Sequence, residues 1–81
     1  MEIVFDEKAI KDLKKIPKNI TLQIKNKIKL LYNFPNTPNI KKLTNFEPPY
    51  RLRVNDYRIL FDVENDILTI YRIKHRKESY K

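Results

Sequence analysis

Residues 50–63 read YRLRVNDYRILFDV, and this stretch decides the fold. Tyr50, Leu52 and Val54 alternate with Arg51 and Arg53, then Tyr57, Ile59, Phe61 and Val63 resume the alternation after Asn55-Asp56. A period of two argues for two strands, each with one buried face. Asn and Asp both tolerate positive φ, so Asn55-Asp56 can close the two-residue turn that glycine usually closes. The hairpin then sets Arg53 opposite Arg58, with Arg51 two residues further along the same face. Like charges directly opposite one another destabilise a sheet. A small domain that builds this face has a use for it other than stability.

The chain on either side follows the same logic. MEIVF, residues 1–5, is short and apolar and reads as a strand. Asp6 is placed to cap a helix, with Glu7 in its first turn, where an acid suits the helix dipole. Ala9, Ile10, Leu13 and Ile16 recur at helical spacing, and Pro17 ends that helix or begins the next. Ile20, Ile24, Ile28 and Leu31 make a second amphipathic helix to about Asn33. So short a joint predicts a helical hairpin. FPNTPN (34–39) is a breaker cluster, and the segment up to Pro48-Pro49 reads as irregular. Glu64 to Asp66 is a second turn, ILTIYRIK (67–74) a third consecutive strand, and HRKESYK a polar tail. Apolar residues occupy both faces at the start of that strand, so its register stays open. The predicted order is βααβββ in an α+β domain: a mostly antiparallel sheet, a helical hairpin on one face, and an open basic face on the other.

Eighty-one residues allow a single domain, 1–81. Lys and Arg number 18 against 10 Asp and Glu, a net +8, which favours polyanions: RNA, DNA or an acidic protein. Glycine is absent, which excludes a glycine-based phosphate loop or dinucleotide fingerprint. Cysteine is absent as well, which excludes disulfides and thiolate metal sites. No window approaches the roughly 20 apolar residues of a membrane span. The early acidic residues argue against a signal peptide. The expected setting is the cytoplasm, with no membrane, no cofactor and no metal.

Arginine presents a planar fork that matches phosphate oxygens two at a time. Arg51, Arg53 and Arg58 are therefore a candidate phosphate clamp. The bland alternative is that Asp62 and Glu64, on the same face by parity, neutralise them. Directly after the third strand come Lys74, the only histidine (His75), Arg76 and Tyr80. Histidine can move a proton near neutral pH, and tyrosine can stack on a base.

YRLRVNDYRILFDV followed by ILTIYRIKHRKESY resembles the C-terminal half of the RelE/ParE toxin superfamily. That family's pattern reads Y-R-hydrophobic-R-V-G-D-Y-R and then a strand ending in H-R-x-x-x-Y. Here Asn55 stands in place of the usual Gly. The likeness is specific over about residues 50–80; over 1–49 it rests on the spacing of a strand and a helical hairpin. It implies the toxin of a type II toxin–antitoxin pair. RelE-like members enter the ribosomal A site and cut mRNA without a metal. The 2′-hydroxyl attacks the neighbouring phosphate and leaves a 2′,3′-cyclic phosphate. By position, Arg51 and Arg53 match the basic pair of the second strand, Arg58 the phosphate-binding arginine after the turn, Arg76 the arginine after the last strand, and Tyr80 the tyrosine that stacks on a nucleotide. In the best-known site the second-strand pair is lysine, and one lysine is a candidate base. Arginine does not deprotonate in proteins, which leaves His75 as the acid/base candidate. The implied partners are a cognate antitoxin with an acidic amphipathic segment, the ribosome and mRNA, with operator DNA reached only through the antitoxin. The resemblance also admits a ParE-like gyrase inhibitor, and a catalytically inactive module that binds nucleic acid or antitoxin.

Overall fold

The computed structural model describes residues 1–79. The order is β1 (Glu2–Phe5), α1 (Glu7–Lys14), α2 (Lys18–Ile28), a 3-10 segment (Lys29–Asn33), β2 (Ile40–Lys42), β3 (Tyr50–Val54), β4 (Tyr57–Glu64), β5 (Ile67–His75) and one final helical turn, α3 (Arg76–Ser79). The strands form one sheet in the order β1-β5-β4-β3-β2. Only β1 is parallel to its neighbour, so the sheet is mixed, as expected of a mostly antiparallel one.

The helices begin where the sequence puts them. The Asp6 carboxylate accepts the Lys8 N–H at 3.0 Å and caps α1. Pro17, with φ fixed near the helical value, stands at the N-cap of α2. Ala9, Ile24, Ile28 and Leu31 turn one helical face onto Leu52, Val54, Ile59, Phe61, Leu68, Ile70 and Ile73, and these side chains make a single core. Phe34, Tyr50 and Phe61 lock one end of it through rings 5.0–5.6 Å apart.

Tight hairpin turns favour φ > 0, and a chain without glycine must find it elsewhere. Among the described residues the left-handed positions are Asn39, Asn45, Asn55, Asn65 and Asp66, the side chains that tolerate this region best after glycine. In the first hairpin only Asn55 is left-handed (φ 54°); Asp56 is not.

Three features differ from the sequence reading. Residues 40–42, expected to be irregular, pair with β3 as an edge strand: Lys41 faces Arg51 and Lys42 faces Tyr50. The polar tail starts with a helical turn, anchored by the Arg76 N–H on the Asp56 carbonyl. The register of β5 is set by a bulge: Leu60 pairs with Arg72 and Phe61 with Ile70, so Tyr71 is skipped. Ile70 and Ile73 thereby both reach the core. Beyond Phe5 the β1 side of β5 has no strand to pair with. Asp12 fills the gap. Its carboxylate accepts the Ile73 N–H at 2.9 Å and two guanidinium N–H groups of Arg72 at 2.8 and 3.1 Å. Burial, the largest single influence, pushes the Asp12 carboxyl up. The hydrogen bonds from Arg72 and Ile73 and the charges of Arg72 and Lys15 together outweigh it and hold the group below the ordinary 3.8.

Candidate functional site

Strand register fixes which cations share the open face. Arg53 lies directly opposite Arg58, and Arg58 opposite Lys74. One step along, Lys41 faces Arg51, Arg51 faces Leu60, and Leu60 faces Arg72. The face therefore carries two basic rows, with Leu60 buried between the flanking arginines and outside the main core. Lys41, Arg51, Arg53 and Arg58 line a shallow depression of about 350 Å³ together with Asn39 and Leu43.

The guanidiniums are not equally committed. Arg51 donates to the Pro48 carbonyl at 3.0 Å and lies 5.5 Å from the Phe46 ring centre. Arg58 folds back on the turn, donating to the carbonyls of Tyr57 (3.2 Å) and Asn55 (3.5 Å). Arg53 is exposed. Asp62 and Glu64 were the acidic neighbours that could have neutralised this face. Asp62 instead accepts the Val63 N–H at 2.8 Å, and both carboxylates lie on the far half of β4, opposite Thr69 and Ile67. Among the described residues neither Arg53 nor Arg58 has a carboxylate partner.

His75 and Arg76 sit at the turn end of the sheet. Arg76 reaches Asp56 at 3.8 Å. His75 pairs with Tyr57 in the ladder, and the two rings meet edge to face at 5.3 Å. That row contains Val54 and Tyr57, so by register His75 belongs to the face opposite Arg53, Arg58 and Lys74. Its Nδ1 accepts the Lys77 N–H at 3.3 Å. Arg58, His75 and Arg76 thus converge on residues 55–57, while Arg51 leans away toward Pro48. Arg53 stands between the two groups. Tyr80 lies outside the described residues.

The sequence reading missed Lys41, because three strand residues among prolines and asparagines carry too little pattern. It also missed the Asp12–Arg72 pair, whose partners are sixty residues apart and have no local signature.

Arg53 and Arg58, opposite one another, with Lys41 and Arg51 lining the same depression, form a cationic array that can attract a phosphate. Residues 3–80 match the family model described as the ParE toxin of the type II toxin–antitoxin system parDE. A Methanocaldococcus jannaschii protein named Toxin RelE3 is 36% identical over 99% of this chain and 96% of its own length. The fold matches a chain of the RelB–RelE antitoxin–toxin complex of Methanococcus jannaschii with a TM-score of 0.77 at 34% identity, over 95% of this chain and 94% of that one. It matches the RelBE2 toxin–antitoxin complex of Mycobacterium tuberculosis with a TM-score of 0.77 at 25% identity, over 93% and 96%.

Proposed function

The chain belongs to the RelE/ParE superfamily of type II toxins, and from that premise we propose that it is a ribosome-dependent endoribonuclease that cuts mRNA in the A site. The observation that carries this reading is the group of cations around one depression, Lys41, Arg51, Arg53 and Arg58, with Arg53 and Arg58 face to face and, among the described residues, no carboxylate paired with either of those two. The reaction forms a bond from O2′ to phosphorus and breaks the bond from phosphorus to O5′. A proton leaves the 2′-hydroxyl and one reaches the departing 5′-oxygen. The products are a 2′,3′-cyclic phosphate and a 5′-hydroxyl. The nucleophile is the substrate's own, so the protein's work is to align it, stabilise the phosphorane charge and move protons.

Arg53 and Arg58 grip the non-bridging oxygens, Arg51 and Arg76 add positive charge on either side, and none of the four can act as a base. His75 moves the proton. Nδ1 accepts the Lys77 N–H in the neutral ring, so Nε2 is the nitrogen that meets the leaving oxygen; it hands over a proton from the doubly protonated ring, which releases that Lys77 contact and takes its proton from solvent. Tyr80 stacks on a nucleotide beside the cut. The decisive experiment is primer extension on mRNA in a purified translation system; cuts inside codons that need ribosomes support the reading.

A cognate antitoxin is the second partner, and operator DNA is reached through it. An apolar groove of about 260 Å³ runs between β1, an edge strand, and α2. Ile3, Phe5, Ile28 and Tyr32 form it, with Lys25 and Lys29 on its margin. It fits an amphipathic acidic segment that folds on binding. The setting is cytoplasmic, where ribosomes are; among the described residues no helix is long and apolar enough to cross a membrane.

The ParE description of the family model favours one alternative, a gyrase inhibitor. Under it, gyrase supercoiling stops and mRNA stays whole.

A further inference from the structure

Phe46 is an exposed aromatic in a place that does not need one. It stands in the loop between β2 and β3, directly after left-handed Asn45, with 53% of its surface open to solvent. The Arg51 guanidinium lies against the ring, 5.5 Å from its centre, and is fastened at the other end to the Pro48 carbonyl. Ring and guanidinium are both flat, and a cation on an aromatic face is attracted by its quadrupole. The loop therefore holds a stiff, two-part surface at the border of the basic depression, which Arg51 and Leu43 also line. Pro48 and Tyr71 line a second depression of about 330 Å³ with Glu47 and Asp62. Tyr71 is the residue that the β5 bulge pushes out of the ladder.

The charges polarise this arrangement. A phosphodiester backbone is drawn to the side of Arg53 and Arg58 and repelled from Glu47 and Asp62. What projects from the backbone toward Phe46 is then the base. Plain phosphate binding gives no role to an exposed phenyl ring, whereas every nucleobase has a π-face that stacks on one.

We propose that Phe46, backed by Arg51, is a stacking platform for a nucleobase of single-stranded RNA next to the phosphate held by Arg53 and Arg58. This rests on the reading of RNA as substrate and extends the site along the strand.

The chain has no tryptophan, so Phe46→Trp places the only indole at the platform. Its emission is followed on titration with three probes: a short single-stranded RNA with a 2′-deoxy block against cutting, the same RNA made abasic, and inorganic polyphosphate. The base-bearing RNA quenches the indole, and the other two do not. In parallel, Phe46→Ala binds the base-bearing RNA about tenfold more weakly, the size of one lost base–aromatic stack. Its binding to polyphosphate is unchanged, and Phe46→Leu does not restore the loss. Equal emission changes with all three probes, or none with the base-bearing RNA, overturns the platform. The two readings separate cleanly. Ribosome-dependent cutting with an indole blind to bases removes the platform alone. Base-dependent quenching without cutting removes the nuclease reading and leaves the platform standing.

Discussion

Arg53 and Arg58 face each other across β3 and β4, a placement that weakens the sheet wherever no anion lies between them. Removing either should act in opposite directions on fold and function. Arg53→Ala and Arg58→Ala are each expected to leave thermal stability unchanged or raise it by about 0.2–1 kcal/mol. Each should lower the rate of mRNA cutting by about 10²-fold or more, as when one charge-stabilising donor is lost. Melting curves and primer extension on the same preparations check both halves. Arg58→Lys should not rescue activity, because a point charge does not replace a planar fork. His75 is tested separately. His75→Ala is expected to slow cutting by about 10²- to 10⁴-fold with the fold intact, the usual worth of a proton-moving group. Undiminished cutting by that variant would assign the proton to another group.

Between elements, the structure depends on residues that stand in for missing parts. Asn55 stands in for a glycine at φ 54°. Asn55→Gly should keep the turn while losing the hydrogen bond that Asn55 Nδ2 donates to Gln23 Oε1, whereas Asn55→Ala should lose about 1–2 kcal/mol in urea denaturation, since it gives up that bond and alanine tolerates the left-handed region less well than asparagine. Asp12 stands in for a strand at the unpaired edge of β5. Its pKa is lowered on folding, so its stabilisation is fully present above the unfolded value near 3.8 and fades as pH falls through the lower folded value. Asp12→Asn should destabilise by about 1–3 kcal/mol at neutral pH, the scale for charged hydrogen bonds. Wild type and variant should converge in strong acid, and the Ile73 amide should exchange faster in the variant. These elements also mark how far the sequence could be read. The 50–63 hairpin was legible, down to the opposed arginines, because alternation and a turn signal coincide there. The helices were legible through their spacing and the Asp6 cap. β2 was not, because three residues show no period. The register of β5 was not, because a bulge obeys no alternation and apolar residues flank it on both faces. The Asp12–Arg72 pair was not, because only the finished fold brings residues sixty apart together. Arg51, Arg53 and Arg58 could be placed on one face from parity alone, but His75 could not be placed relative to them, since its row depends on the bulge before it.

Over the whole molecule, a sheet with one face packed under helices and the other left to cations concentrates a net charge of +8 on a small body. Binding to single-stranded RNA should therefore fall steeply with salt. If the clamp engages three or four phosphates, the slope of log K against log salt should be about −2 to −3. Arg53→Ala should flatten it by somewhat under one. The most direct measurement is primer extension on a defined mRNA in a purified translation system, with the protein added and with ribosomes present or withheld. The account predicts cuts inside codons that occur only with ribosomes and disappear in Arg53→Ala and Arg58→Ala. Intact mRNA under both conditions, with gyrase supercoiling blocked instead, would contradict it.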